Sequence, residues 1–416
     1  MPVPMSEEEK VFKDPVHGYI YVHQPLIWDL INTREMQRLR RIRQLGTTYV
    51  AYPGGDHSRF SHSLGVYEVI RQILAAFDRN AYPWDEDDNL LAMAAGLLHD
   101  VGHGPFSHAV EKVVGLRHER WSEAIILDAA TEVHQVLEHH RPGFAQAVAD
   151  VIAKRHPHRL VVSLVSGQLD ADRLDYLMRD SVATGVDYGK FDLARIIRIM
   201  EPVDDRIVVR QSGLRTLEAY LLARYFMYWQ VYFHPVSRSA EVVLRSILQR
   251  ARDLAGLGEE PPFPHPALAS LLRETVGLAD YLRLDDAVFL NAFNVWQDAA
   301  DPVLRDLCRR FLDRRLLDYR EYPEFRPMWW QRVLRAADAS GFDSRYYCAI
   351  DETGTVYYDY YLGGGNRQGE AIWLWDRNTR SLVETSEVSS PVRTIAAETR
   401  VARRVYFPRE IGEQVD

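Results

Sequence analysis

Cysteine is almost missing from this chain: its 416 residues include only Cys308 and Cys348. Two thiols outside any paired metal spacing build neither a disulfide framework nor a thiolate site, so the fold must rest on burial. That usage fits a reducing cytoplasm, which is the expected location. Long apolar runs are missing as well, and none approaches the length that crosses a bilayer. The leader MPVPMSEEEK is polar and acidic, unlike a signal peptide, so no membrane association is expected. A positive excess is the third absence. The formal net charge is −9, and the basic residues are nearly all arginine. No broad basic field is left for a nucleic-acid backbone, so nucleic acid is not an expected partner. Arginine suits planar contacts with phosphate or carboxylate instead. The hydrophobic share of 47% and the charged share of 26% are those of a globular protein. The length allows two or three domains around a large core.

What is present concentrates in LLHDVGHGPFSH, Leu97 to His108. His99 and Asp100 stand at the end of a run, Leu90 to Leu98, that is apolar on all sides and predicts a buried helix. A carboxylate carried into the interior needs a partner for its charge. A divalent metal held by imidazole and carboxylate is an economical one. His103 and His108 follow closely, and in general a lone histidine on a helix is a packed or surface residue.

Around this stretch the chain predicts a mainly α protein with a smaller α+β appendage at its C-terminal end. A short hairpin is expected at Lys10 to His23, turning at His17 and Gly18. Apolar spacing from Pro25 to Gln44 predicts helix, broken near Asn32 and Thr33. Further helices are expected from His62 to about Phe77, at Leu90 to Asp100, and in a series reaching Ala153. Another carries Asp172. A strand at Ile207 to Arg210 precedes one long helix, Leu214 to Leu254, kinked at Pro235. The Gly- and Pro-rich stretch Gly256 to His265 marks a boundary, which gives domains at 1–255, 256–340 and 341–416. Strands are expected at Tyr346 to Ile350, Thr355 to Leu362 and Ala371 to Trp375, with a turn at Gly363.

A histidine–aspartate pair alone is weak, but three other stretches join it. HSRFSHSLGV offers His62; QLDADRLDYLMRD offers Asp172, with Asp175 and Tyr176 one turn on; KVFKDPVHGYI and QRLRRIRQLG stand near the start. In this order and spacing the chain, over about residues 10 to 245, resembles the HD-domain deoxynucleoside triphosphate triphosphohydrolases, a family with bacterial and vertebrate members. The resemblance implies an HD-domain helical bundle and one divalent metal (Mg, Mn, Fe, Zn, Ni or Co) held by His62, His99, Asp100 and Asp172. Two imidazoles and two carboxylates leave two positions open on a six-coordinate ion, and open positions mark a catalytic site.

The same resemblance places His103, His108, Glu111 and His118 at the scissile bond, with His108 as the acid and His118 and Glu111 orienting it or the water. The vertebrate member has Asp at position 111, and His118 reads alternatively as a helix cap. Arg59, Arg173 and Arg224 fall on positions that grip phosphates. Arg173, which is Lys in the vertebrate enzyme, reads equally as a helix-surface ion pair. Gln44, Tyr176, Asp180 and Tyr232 match positions around the sugar, where a packed tyrosine ring excludes a 2′-hydroxyl. The rest of Tyr225 to Phe233 reads as core. Lys10, Val11, Asn32, Gln37 and Arg40 match the site where some members bind an activating guanine nucleotide between subunits. The vertebrate site has Asp at position 32, and the Arg34 to Arg43 run reads equally as a solvated face or an interface salt-bridge lattice.

The expected activity is therefore cleavage of a deoxynucleoside triphosphate, dGTP or another, to deoxynucleoside and inorganic triphosphate. Deoxynucleoside triphosphates would be substrate and activator, and a dimer or tetramer the assembly. Two alternatives stay open: an HD-type phosphodiesterase or nucleotidase acting on another phosphate ester, and a nucleotide- or nucleic-acid-binding regulator with idle catalysis.

Overall fold

Local signals account for the first elements. The computed structural model describes residues 10–79, 85–115, 117–259, 261–322, 324–354, 371–397 and 401–415. Strands β1 (Lys10–Asp14) and β2 (Gly18–Val22) form an antiparallel hairpin, closed by Gly18 at a left-handed φ of +76°. Helix α1 (Pro25–Asn32) ends at Thr33, whose hydroxyl accepts from the Met36 amide and starts α2 (Arg34–Arg38). The expected break thus lies at the expected residues. Helices α3 (Arg59–Arg79) and α4 (Glu86–Leu98) follow, the second capped by Asp85 and buried throughout Leu91 to Leu98.

Next come α5 (His108–Val114), α6 (His118–Leu127), α7 (Glu132–His140), α8 (Phe144–Ile152), α9 (Arg159–Val165), α10 (Ala171–Thr184) and α11 (Leu193–Ile199). Strands β3 (Met200–Val203) and β4 (Arg206–Arg210) pair around Asp204 and Asp205, and α12 (Leu214–Met227) follows. Helices α3, α4 and α10 stand side by side at the centre, and their apolar faces share one core with α1, α8, α9 and α12.

One expectation is corrected here. The stretch Leu214 to Leu254 is not a single kinked helix. After α12 the chain makes a π-helical turn over Tyr228–Tyr232, with the Phe233 amide bonded to the Tyr228 carbonyl at 2.8 Å. It then leaves helical geometry and restarts as α13 (Pro235–Gly256). Proline has no N–H to donate, so it serves at the first turn of a new helix better than inside an old one.

The second core lies on α13. Around it pack α14 (Pro266–Leu272), α15 (Leu278–Tyr281), α16 (Asp286–Trp296) and α17 (Pro302–Leu312), together with Phe106, Ala109 and Val110 from the first half of the chain. The Arg34 to Arg43 run is divided: Arg34, Arg40 and Arg41 are exposed, while the others turn inward. Arg38 is buried, Arg41 pairs with Asp285, and Arg43 pairs with Asp286 at the edge of this core.

The C-terminal part is a small α+β appendage, as expected, and its strands join two sheets. After β5 (Asp318–Glu321), α18 (Pro327–Ala339) and α19 (Ser344–Tyr347) come β6 (Ala349–Gly354), β7 (Trp373–Asp376) and β8 (Ser381–Glu384). The short helices α20 (Thr385–Val388) and α21 (Ser390–Ala397) precede β9 (Val401–Phe407), and α22 (Gly412–Val415) ends the described chain. Strands β5, β9 and β6 form one sheet, whereas β7 and β8 extend the β3–β4 hairpin back on the first core, with β4 and β7 parallel. A two-stranded hairpin is marginal alone, and Leu374 beside Val209 completes its apolar face. The expected strand Thr355 to Leu362 and the Gly363 turn lie outside the described residues. No helix among the described residues is long and apolar enough to cross a membrane.

A buried ion pair ties α13 to β6: Arg238 meets Asp351 through Nε at 2.9 Å and through a terminal nitrogen at 2.5 Å. Asp351→Ala leaves that guanidinium buried with less than its charge needs, and unfolding in urea should show a loss of about 3 kcal/mol.

Candidate metal centre and adjoining cavity

Three helices converge on one point. His62 lies in the first turn of α3, His99 and Asp100 follow the last residue of α4, and Asp172 lies in the first turn of α10. Asp172 Oδ1 is 3.1 Å from His62 Nε2 and 3.6 Å from His99 Nε2. Asp100 comes within 3.3 Å of His99 Nε2 and 3.9 Å of His62 Nε2. Donors about 2.1 Å from an ion are about 3 Å apart when adjacent on it, so these separations suit one shared cation.

The tautomers suit it too. His62 Nδ1 is 2.8 Å from the Asp175 carboxylate, and His99 Nδ1 is 2.8 Å from the Gly96 carbonyl. Both partners only accept, so each Nδ1 carries the hydrogen and each Nε2 turns to the common point. Among the described residues the buried His99 Nε2 has no hydrogen-bond partner, an orphan that a cation would satisfy. Burial opposes charge on the His62 ring, yet its hydrogen bonds to the accepting carboxylates of Asp172 and Asp175 prevail and raise its pKa to about 10. His99 is also raised, against burial, by Asp100 and Asp172. Burial likewise opposes charge on Asp100 and Asp172, but the neighbouring histidines, with Arg59 beside Asp100, hold both below the usual carboxylate range.

Behind His62 lies a network to which the sequence reading gave no role. Asp175 also accepts from His17 Nε2 at 2.6 Å and from Arg179 through two nitrogens at 2.8 and 3.0 Å. Arg179 in turn donates to Asp14 at 2.8 Å. Burial works against the Asp175 charge, but Arg179, His17 and His62 keep its pKa well below the usual range, and it stays an acceptor. A Cβ at Gly65 would overlap the Asp175 carboxylate and the Arg179 guanidinium, so α3 needs glycine there to approach α10. One signal was available. Asp172, Asp175, Tyr176, Arg179 and Asp180 recur at helical spacing and put a polar stripe on a buried face, which apolar packing alone never produces.

A cavity of about 890 Å³ opens beside the quartet, lined among others by Gln44, Arg59, Glu111, Tyr176, Asp180 and Tyr232. Arg59 reaches Asp100 at 2.5 Å and donates to the Ser107 hydroxyl at 2.7 Å. Asp180 accepts from the Tyr232 hydroxyl and from His57 Nε2, each at 2.8 Å, and His57 is another residue without an expected role. The rings of Tyr176 and Tyr232 meet edge-on at 6.1 Å. Lys154, exposed at the end of α8, also lines this space. Arg173 and Arg224 do not appear in its described wall. Arg173 Nε donates to the Gly167 carbonyl at 2.7 Å, and Arg224 donates to the Gln168 side chain at 2.9 Å.

His103 and His118 stack at 3.8 Å, and His118 Nδ1 is 2.8 Å from Glu111. Burial, and then the charge of Arg59, keep the His103 ring well below its ordinary pKa. His108 opens α5, but its side chain lies outside what the structure describes. The five expected activator positions gather at one end of the hairpin. Lys10 lies over the Trp28 ring at 5.6 Å, Asn32 donates to the Trp28 carbonyl, and Arg40 donates to Gln37 while lying over Phe60 at 3.6 Å. Val11 stands exposed beside them.

Two measurements test this centre. With His62 at about 10, the metal-free ring is protonated at neutral pH, and a cation must displace that proton. Because the His99 ring is raised as well, metal binding should release at least one proton and strengthen by about tenfold or more per pH unit between pH 6 and 8, as read by calorimetry in buffers of different ionisation enthalpy. Gly65→Ala should lower metal affinity by about tenfold or more by disturbing the acceptor behind His62, as read by equilibrium dialysis with elemental analysis.

The comparisons with known proteins agree with this geometry. Residues 59–180 match the HD domain, and residues 191–259 match the HD associated region. The uncharacterised protein YwfO of Bacillus subtilis is 46% identical over 405 residues, which cover 97% of this chain and 93% of that one. The deoxynucleoside triphosphate triphosphohydrolase SAMHD1 of Gallus gallus is 29% identical over 280 residues, 58% of this chain and 45% of that protein. A solved phosphohydrolase from Bacteroides thetaiotaomicron superposes with a TM-score of 0.86 at 30% identity, covering 97% of this chain and all 100% of its own. With a histidine–aspartate quartet on three helices and relatives matched along nearly its whole length, the chain belongs to the HD-domain phosphohydrolases, in the family that resembles the deoxynucleoside triphosphate triphosphohydrolases.

Proposed function

We propose that this protein hydrolyses deoxynucleoside triphosphates at the bond between the α-phosphorus and the 5′-oxygen, releasing the deoxynucleoside and intact triphosphate. The observation that supports the reading is one cavity lined by His99, Asp100 and Asp172 as well as by the Asp180–Tyr232 pair, which suits a phosphate at one end and a sugar at the other. A divalent cation held by His62, His99, Asp100 and Asp172 would supply Lewis acidity toward phosphoryl oxygen and acidify water.

The chain's own groups do the rest. Arg59 and Lys154 offer positive charge to the phosphate tail from the cavity wall. Arg173 and Arg224 add to it on leaving their present carbonyl and amide partners. Asp180 accepts from the 3′-hydroxyl, and the Tyr176 and Tyr232 rings crowd the place of a 2′-hydroxyl. The 5′-oxygen takes its proton from the histidines of α5 and α6, with His108 as donor and the His118–Glu111 hydrogen bond holding or passing that proton. His103, kept neutral, serves as a hydrogen-bond donor rather than as the acid. The surface around Lys10, Val11, Asn32, Gln37 and Arg40 serves as the activator site of a homo-oligomer.

Product analysis tests this. Wild type and His99→Ala are incubated with manganese and each deoxy- and ribonucleoside triphosphate, with and without dGTP as activator, and the products are separated by anion exchange. Triphosphate should appear from deoxynucleotides, about tenfold or more slowly from ribonucleotides, and at background level with His99→Ala. Pyrophosphate or orthophosphate alone contradicts the bond assigned. Equal turnover of ribonucleotides favours a wider phosphodiesterase or nucleotidase, and tight binding without turnover favours a regulator.

A further inference from the structure

The loop Val101 to Ser107, which carries His103 between α4 and α5, is bent in an unusual way. Phe106 and Ser107 both have left-handed φ, 49° and 51°, a region that residues with a Cβ avoid. Such a backbone persists only where its surroundings over-determine it. Part of the restraint is local: the Gly102 amide donates to Ser122 Oγ at 3.0 Å, and Arg59 holds the Ser107 hydroxyl. The rest comes from a distant stretch of six residues, Tyr281 to Asp286, and from Arg38.

The Tyr281 hydroxyl donates to the Gly102 carbonyl at 2.7 Å. Arg38 donates through one terminal nitrogen to the His103 carbonyl at 2.8 Å and through Nε to the Leu284 carbonyl at 2.9 Å. Asp286 accepts from the Phe106 amide at 3.0 Å, while Arg43 holds its other oxygen. Gly104 has no Cβ to collide with the Tyr281 hydroxyl, so the loop can lie against it. A buried guanidinium placed on two carbonyls, and a buried carboxylate placed on one amide of a strained turn, are costly arrangements where simple packing would serve. Neither residue lies within the stretches matched to the HD domain or its associated region.

We propose that Arg38, Tyr281 and Asp286 are positioning residues of the reaction. They fix the backbone of the His103 loop from the second core, so that the His103 ring stays stacked on His118 and within 3.3 Å of Asp100. The proposal rests on the phosphohydrolase reading for its kinetic consequence, but not for its structural one. Docking of the second core is then part of building the active site and not only of stabilising the chain.

The test compares Tyr281→Phe, which keeps the ring stacked on Trp121, with Asp286→Ala and Asp286→Asn in the full chain. Asp286→Ala should lower kcat by about tenfold or more with KM and metal content within about twofold of wild type, because the loop and not the binding site is displaced. Asp286→Asn, which still accepts from the Phe106 amide, should recover most of that loss. Tyr281→Phe should lower kcat by about threefold to tenfold at nearly unchanged melting temperature. Hydrogen exchange at the Phe106 amide should quicken in Asp286→Ala and not in Asp286→Asn. Unchanged kcat in both Tyr281→Phe and Asp286→Ala, or equal failure of the Asn and Ala variants, would overturn the proposal. If the wild type hydrolyses no deoxynucleotide, the functional reading fails by itself. The exchange rates then still decide whether Asp286 holds the loop.

Discussion

One buried carboxylate organises the candidate metal centre. Asp175 accepts from His62, His17 and Arg179, and through Arg179 it reaches Asp14 on the first strand. A carboxylate this deep survives only with donors on every side, and each donor here comes from a different part of the chain. The hairpin, α3 and α10 must therefore be in place together before His62 has a fixed ring with Nε2 turned to the common point. The quartet's geometry follows from that requirement, as does the glycine at position 65 that lets the two helices close.

The second structural condition is the meeting of two cores. The HD helices supply the candidate cation site and most of the cavity, yet the loop after Asp100 sends Phe106 into the second core beside Phe289, Phe293 and Phe311. The site thus sits at a seam. Side chains on one side of the seam hold backbone on the other, and β6 adds Glu352, Thr353 and Gly354 to the cavity wall.

Much of this was legible in the sequence, and for identifiable reasons. His62, His99, Asp100 and Asp172 lie in compact stretches that, taken together and in order, carry the family resemblance that implies the set, and the hairpin and the Thr33 cap obey local rules. What failed to show was non-local. Asp175 looks like any polar helix position until His17 and His62 arrive from afar. The arginines at 38 and 43 look solvated until residues 284 and 286 meet them. The π-helical turn at Tyr228–Tyr232 has no short-range signature, so a single bent helix was the natural expectation. The return of β7 to β4 is a pairing across more than a hundred and fifty residues of sequence, beyond any periodicity argument.

The scarcity of lysine has its own outcome inside the fold. Among the described residues the buried side chains of the lysine–arginine class are all guanidinium groups: Arg38, Arg59, Arg179, Arg224, Arg238, Arg310 and Arg404. A guanidinium keeps its proton at any pH a cell experiences and is inert to reagents that acylate amines. Acetylation or a lysine-directed crosslinker would reach the periphery and leave this ionic skeleton untouched.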